Sequence, residues 1–235
     1  MKGFAFVLLC VLVAVQGRHT GVEKAGSAAA LGEKPWFVHL RIAVSTSGLL
    51  NTCAGSLIGN RWVLTAASCI SDARFIWVRY GVVDVIRPSL VTENSLTVIH
   101  PEYDPVSGKN NVALININRE VVSTENISPI SLSGVDAESG SFCAFGASDG
   151  KPGEQLNCYD AAISQDEDGL SVSGDFEVSE FDLGAPVVSE GAQVALLTGS
   201  AGSFTEVGSY IDWIQRSTGV SFNSEAVAAE AVHFV

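Results

Sequence analysis

Ser68, in the segment TAASC (65–69), is a candidate for nucleophilic chemistry. A serine hydroxyl becomes a nucleophile when a neighbouring base takes its proton. The chain has four scattered histidines, and none stands in sequence register with Ser68. His100 is a candidate for a displaced base, and His39, inside an apolar run, is expected to be a satisfied, partly buried histidine. We favour the simpler interpretation, in which Ser68 is a small polar residue without an activating base.

A metal site is also not the favoured interpretation. The run Asp166–Glu167–Asp168 could bind calcium, but the EF-hand spacing is absent, and a solvated acidic loop is the favoured interpretation. No two cysteines of the mature chain lie two to four residues apart, as a zinc site would require. We expect neither a metal nor a cofactor.

The cysteines indicate a disulfide framework. Five are present, and Cys10 falls in an N-terminal apolar run. An even number in an exported chain predicts two disulfides, and four cysteines allow three pairings. The four that remain are Cys53, Cys69, Cys143 and Cys158. Asn126–Ile127–Ser128 is a glycosylation sequon, and Pro129 directly after it leaves its occupancy open.

The N-terminus indicates export. Residues 4–15 read FAFVLLCVLVAV behind Lys2, which is too short to span a bilayer and is typical of a secretory signal peptide. An N-terminal anchor is the alternative, but no stop-transfer pattern follows. With cleavage after Gly17, about 220 residues remain, enough for one all-β domain or two small ones. The net charge of −13 argues against nucleic-acid and anionic-membrane partners.

Short β-type runs separated by turn residues predict an all-β sandwich or barrel, and periodicity does not choose between the two. Residues 165–182 are acidic and rich in Gly and Ser, which predicts a long exposed loop. Helices are expected at 208–216, capped by Ser209, and from Ser224 to about Phe234. The β-type runs are 36–44, 61–67, 73–83, 94–100, 111–118, 184–189 and 192–199.

Five segments in order resemble the chymotrypsin-like (S1) serine proteases. The resemblance implies two antiparallel six-stranded β-barrels with a cleft between them and a C-terminal helix. It also implies an S1 domain over 18–220, leaving 221–235 as an extension. The segments are GEKPWFVHL (32–40), CAGSLIGNRWVLTAASC (53–69), HPEYDP with NNVALI (100–105 and 110–115), FDLGAP (181–186) and SYIDWI (209–214).

The resemblance also implies that the catalytic residues are lost. The family needs a histidine in TAAHC, an aspartate in a motif like NDIALL and a serine in GDSGGP. This chain has Ser68, Asn111 and Leu183 at those positions. Leu183 has no heteroatom to attack a carbonyl, Ser68 has no basic lone pair near neutral pH, and Asn111 could not stabilise an imidazolium.

Neighbouring features depart from the family as well. Phe181 replaces a glycine beside the oxyanion hole and should crowd or turn the backbone N–H if that glycine needed a positive φ. The IVGG terminus that pairs with the aspartate at Asp182 is missing, so this carboxyl must be solvated, protonated or paired otherwise. The primary-pocket strand is assigned to Ser200–Gly202, with the pocket base near Glu177, and a family cysteine is replaced by Ser179.

By resemblance, Cys53 pairs with Cys69, as in the family's histidine-loop disulfide. The usual distant partners of Cys143 and Cys158 are missing, which leaves these two cysteines for each other. His100 matches a surface turn of the family, against its interpretation as a base. The favoured function is a secreted, monomeric, non-catalytic homologue that binds another secreted protein. An active hydrolase with relocated chemistry and a bland secreted or storage protein are the alternatives.

Overall fold

The computed structural model describes residues 26–44, 50–136, 138–166 and 169–222. The helices are α1 (Ala67–Ile70) and α2 (Ile211–Thr218), with 3-10 turns at Glu180–Asp182 and Gly208–Tyr210. The strands are β1 (Ser27–Ala28), β2 (Phe37–Val44), β3 (Leu50–Gly59), β4 (Trp62–Thr65), β5 (Ala73–Tyr80), β6 (Leu90–Asn94), β7 (Leu96–Ile99), β8 (Ala113–Asn116), β9 (Ser131–Leu132), β10 (Ser139–Ala144), β11 (Ala147–Ser148), β12 (Lys151–Pro152), β13 (Asn157–Asp166), β14 (Gly169–Ser173), β15 (Pro186–Ser189), β16 (Ala192–Gly199) and β17 (Ser203–Glu206).

Some sequence predictions fall outside the described residues. These are the signal peptide at 1–17, the helix from Ser224 to Phe234, and Glu167 with Asp168 of the acidic run. Within the described ranges, no helix is long and apolar enough to cross a membrane.

The first barrel contains β2 to β8 in the order β6-β5-β2-β3-β4-β8-β7. Strands β6 and β7 are separated by Ser95 alone, and they pair with β5 and β8 respectively. They therefore act as one interrupted strand that closes a barrel of six strand positions. Closure leaves no free sheet edge, which protects the ladder from pairing with other chains.

Strand β2 is buried on both faces over most of its length. Val38, Leu40 and Ile42 alternate into the core of the first barrel. Phe37 and His39 point the other way and are also buried. Because successive side chains of a strand point to opposite faces, this double burial requires a second layer outside the barrel.

The second barrel supplies that layer. It is built from β10, β13, β14, β15, β16 and β17, which are antiparallel to their neighbours, while the short strands β1 and β9 are added to β13 and β16. Its core cluster includes Phe37 and Ala54 from the first barrel. The two-barrel, all-β fold predicted by the resemblance is confirmed.

Strand β14 corrects the prediction of a long exposed loop at 165–182. It pairs antiparallel with β13. Leu170 and Val172 are half-buried against the core of the second barrel, while Ser171 and Ser173 face outward. The alternation was present in the sequence, but the acidic and small residues around it obscured the two apolar positions.

The predicted C-terminal helix is confirmed, with a different beginning. A 3-10 turn at Gly208–Tyr210 leads into α2, which ends at Gly219 with φ of 73°. Ser209 does not cap it, because its hydroxyl lies inside the 3-10 turn and donates to Glu206 Oε2 at 3.0 Å. Helix α2 packs on the barrels through the fully buried side chain of Ile214.

Both predicted disulfides are present. Cys53 on β3 is joined to Cys69 on α1, and Cys143 on β10 is joined to Cys158 on β13. The second pair is directly opposite across an antiparallel ladder, with a Cα–Cα distance of 4.1 Å.

We expect the double substitution Cys143→Ala with Cys158→Ala to lower the unfolding free energy. Opening a loop of this length costs about 3 kcal/mol in the chain-entropy model. For a domain of this size, that corresponds to a fall of about 6–12 °C in Tm. Differential scanning calorimetry checks it, with Ser148→Ala as the control because Ser148 is exposed within the same loop. A Tm equal to that of the control would contradict the expectation.

Candidate functional site

Ser68 and Asn111 meet where the first barrel joins the second. Strands β4 and β8 pair through Thr65 and Ala113. This pairing brings α1, which follows β4, close to Asn111, which lies just before β8. The Ser68 backbone N–H donates to Asn111 Oδ1 at 2.7 Å. Asn111 Nδ2 in turn donates to Ser68 Oγ at 3.0 Å and to the carbonyl of Thr198, on β16 of the second barrel, at 2.9 Å.

The orientation of the Asn111 amide follows from its partners. A backbone carbonyl can only accept, so the amide nitrogen must face Thr198. The amide oxygen then faces the N–H of Ser68. Asn111 is 3% exposed, and its amide forms three hydrogen bonds. A carboxylate in this place would put an acceptor against the Thr198 carbonyl, so the site fits the amide better than the acid.

Ser68 is held in a way that does not activate it. Its hydroxyl oxygen accepts a proton from an amide, and an amide is not a base that could take the hydroxyl proton. Neither His39 nor His100 is a hydrogen-bond partner of Ser68 in the described part of the chain.

Leu183 packs as an apolar contact between the two barrels. Its partly buried side chain lies against both barrel cores. Its carbonyl accepts from the N–H of Ala54 at 2.8 Å. The next residue, Gly184, has φ of 86°, and a Cβ there would lie 2.2 Å from the carbonyl oxygen of Ala54. The loop thus sits directly on β3, and a side chain at Gly184 would push it away.

Phe181 lies within the 3-10 turn Glu180–Asp182 and is not among the described residues with positive φ. This turn folds the backbone back, so that the N–H of Asp182 donates to the carbonyl of Ser179 at 3.1 Å. The effect of the Phe181 side chain on the neighbouring backbone N–H stays a prediction.

Asp182 is stabilised by neutral donors. The carboxyl is 1% exposed. Its Oδ1 accepts from the N–H of Gly146 at 2.8 Å, and its Oδ2 accepts from the N–H and hydroxyl of Ser179 at 3.0 and 2.6 Å. Burial raises the pKa of Asp182, and these donors oppose the rise. Of the possibilities left open by the sequence, pairing with neutral donors is the one observed.

Only one of these partners could be identified from the sequence. Ser179 was recognised as the replacement of a family cysteine, but its role as the hydroxyl donor to Asp182 was missed. Thr198 and Gly146 were missed because they act through backbone atoms, which any residue type supplies. No signal in the sequence could have found them.

The two described histidines lie in different surroundings. His39 is 4% exposed, and its Nδ1 has no hydrogen-bond partner, so the expectation of a satisfied, partly buried histidine is wrong. Its ring meets the edge of Phe145 at 5.2 Å, which covers it with an apolar surface. His100 packs near Trp213 of α2, with ring centroids 4.9 Å apart, and its Nδ1 accepts from the N–H of Glu102.

The segment assigned to the primary-pocket strand has a different structure. Ser200–Gly202 is the tight turn between β16 and β17, with the N–H of Gly202 donating to the carbonyl of Gly199, and not a strand. This turn and the exposed Glu177 nevertheless line one surface cavity of about 510 Å³, so the two assigned segments do lie together. A separate cavity of about 790 Å³ on the described surface is lined by Trp36, Ile211 and Phe222 among others, and not by Ser68, Asn111 or Leu183.

Asn126 is half-buried in the segment between the barrels, and its N–H donates to Thr124 Oγ1 at 3.2 Å. Its glycosylation stays a prediction. Calcium binding at Asp166–Glu167–Asp168 also stays untested, since two of these residues lie outside the described ranges.

We expect Ser179→Ala to destabilise the protein more at pH 7 than at pH 4. Because the folded-state pKa of Asp182 is raised, its contribution to the unfolding free energy is greatest at low pH and falls as pH rises through the folded value. Removing the hydroxyl leaves the ionised form with one charge-assisted hydrogen bond fewer, at a cost of about 1.5–3 kcal/mol at neutral pH.

Urea denaturation of the wild type and Ser179→Ala at both pH values measures this difference. Ser171→Ala is the control, because Ser171 is exposed on β14. A loss that is larger at pH 4 than at pH 7 would show that Ser179 does not support the ionised carboxyl.

Comparison with known proteins identifies the family. The family model described as Trypsin matches residues 24–214. Trypsin II-P29 of Gallus gallus is 30% identical over 74% of this chain and 82% of that protein. Collagenase of Hypoderma lineatum is 30% identical over 72% of this chain and 77% of that protein. A solved structure titled HL collagenase superposes with a TM-score of 0.73 at 26% identity, over 84% of this chain and 99% of that one. The chain therefore belongs to the trypsin family.

Proposed function

We propose that this protein is a secreted, non-catalytic member of the trypsin family that acts by binding another protein. The observation that supports the non-catalytic part of the proposal is the orientation of the Asn111 amide. Its nitrogen donates both to Ser68 Oγ and to the carbonyl of Thr198. In the family's chemistry, an aspartate at this position accepts a hydrogen bond from the histidine base and orients it. In this chain the Nδ2 group of Asn111 is a donor there.

The surrounding contacts support the same conclusion. Leu183 presents a hydrocarbon side chain where a nucleophile is needed, and that side chain packs on both barrel cores. Catalytic groups in such enzymes act as a unit, so replacing all of them removes about six orders of magnitude of turnover in the best-studied case. What remains at the junction is a set of packing and hydrogen-bonding contacts.

Secretion is part of the proposal. Two disulfides are typical of an oxidising compartment, and the described residues of this chain contain both. An exported protein meets other exported proteins, so the partner we propose is a secreted protein bound by a monomer of this chain.

We expect no hydrolysis of peptide or ester substrates of the trypsin, chymotrypsin or elastase type, because no described base contacts the Ser68 hydroxyl. Fluorogenic substrates and a fluorophosphonate probe, which labels activated serines, measure this on the purified protein. Ser68→Ala is the matched control. Labelling or turnover that vanishes in Ser68→Ala would overturn the proposal in favour of an active hydrolase.

We expect Asn111→Asp to lower the unfolding free energy by about 1–3 kcal/mol at pH 7, because a carboxylate would face the Thr198 carbonyl in a buried place. The loss should shrink as pH falls, since a protonated carboxyl can donate to that carbonyl.

Asn118→Asp is the control for this substitution. Its amide also donates to a backbone carbonyl, that of Glu93 at 2.8 Å, but the residue is exposed and water can replace the contact. If urea denaturation gives equal losses of unfolding free energy for the two variants, burial of the Asn111 amide does not make the substitution more destabilising.

A further inference from the structure

Among the described residues, a face on the outer surface of the first barrel joins positive charge with aromatic side chains. We call it the arginine face, and it consists of Arg41 on β2, Phe75, Trp77 and Arg79 on β5, and Val91 on β6. The strand register places these residues together, since Arg41 is opposite Trp77 and Arg79 is opposite Val91.

The two guanidinium groups on this face lack acidic partners. Among the described residues, neither Arg41 nor Arg79 forms an ion pair. Arg79 donates to the carbonyl of Val85 at 3.1 Å. Burial, and then the charge of Arg41, lower the pKa of Arg79, so the two cations lie close enough to repel each other. Glu93, the carboxylate on this face, accepts from Trp77 Nε1 at 3.2 Å.

His39 lies beside Arg79 and supplies no negative charge to this face. It pairs with Arg79 in the β2–β5 register and is buried, with Nδ1 unpartnered. Burial, with Arg79 and Arg41, lowers the pKa of His39 to about 3. The imidazole of His39 is therefore neutral, and it occupies the position opposite Arg79, where a carboxylate could have neutralised the arginine charges. The chain has a net charge of −13, yet these two cations have no ion-pair partner within the ranges that the structure describes.

Apolar surface surrounds these charges. Phe75 and Trp77 are half-buried, with ring centroids 4.9 Å apart. Val91 is 38% exposed, and Leu50, beside Ala43 on the adjoining strand, is 44% exposed. Aromatic rings and arginine together are typical of the residues that contribute most at protein interfaces.

We infer that the arginine face is the docking surface for an acidic segment of a partner protein, whose carboxylates meet Arg41 and Arg79 and whose apolar side chains contact Phe75 and Trp77. This inference rests on the proposed binding function and gives its partner a chemistry. Arginine suits the role, because its planar donor pairs match a carboxylate in two parallel hydrogen bonds.

An acidic polypeptide fits this face better than a sulfated glycan or a nucleic acid. A sulfated glycan and a nucleic acid offer no aliphatic side chains for the apolar half of the face, whereas a polypeptide can place such side chains beside its carboxylates.

The inference is tested with a fluorescein-labelled peptide, Glu-Glu-Phe-Glu-Glu-Leu-Glu-Glu, titrated with the full mature chain while anisotropy is recorded. We expect saturable binding that weakens as NaCl rises from about 0.05 M to about 0.5 M. The double variant Arg41→Gln with Arg79→Gln should weaken binding by about tenfold or more, since two charge-assisted contacts are lost. A matched double variant, Arg61→Gln with Arg216→Gln, removes the same charge from two exposed arginines elsewhere.

The single variant Arg41→Gln tests whether weaker binding comes from misfolding of the double variant. Arg41 is exposed, and the hydrogen bond from Arg79 to the carbonyl of Val85 stays in place, so this variant should fold normally. It should weaken binding without changing Tm. Equal weakening by both double variants, binding of the peptide with Gln in place of Glu, tighter binding of a heparin octasaccharide, or no binding at about 1 mM peptide would each overturn the inference. None of these outcomes bears on catalysis, which the substrate and fluorophosphonate assays measure separately.

Discussion

The close seating of the loop 180–184 on strand β3 is the contact on which the relation between the two barrels depends. Gly184 lies so near the carbonyl of Ala54 that a Cβ would be 2.2 Å from it, and the N–H of Ala54 bonds to the carbonyl of Leu183. Because interiors are packed as densely as crystals, such a contact fixes the two cores against each other with little freedom. The positions of Leu183 and Asp182 follow from this seating.

Two polar bridges cross the same junction, and both are neutral. Asn111 of the first barrel donates to Thr198 of the second, and Ser56 of β3 donates to the buried side chain of Gln193 on β16. Buried polar groups specify an arrangement because leaving one unpaired is costly. These neutral hydrogen bonds therefore help to fix the two barrels against each other.

The sequence predicted most of the framework and less of the site. The β-type runs at 36–44, 73–83 and 192–199 became β2, β5 and β16, because alternation of apolar residues is a local signal that tertiary packing reinforced. Strand β14 was missed, since its alternation rests on only two apolar residues among Gly, Ser and acidic neighbours. The Ser209 cap failed because a 3-10 turn preceded α2, and a cap depends on backbone angles that composition does not give.

Strand β2 runs from the junction between the two barrels to the arginine face. Its residues Phe37 and His39 seal the junction against Phe145, while Arg41, two residues further on the same side of the strand, emerges beyond the second barrel. Strand β2 is therefore buried at the interface between the barrels at one end and exposed at Arg41 further along. A binding surface on a strand fixed along both faces loses little entropy when a partner docks, because its backbone is already ordered. The proposed docking face therefore has an ordered backbone that does not depend on the contacts of Ser68, Asn111 and Leu183.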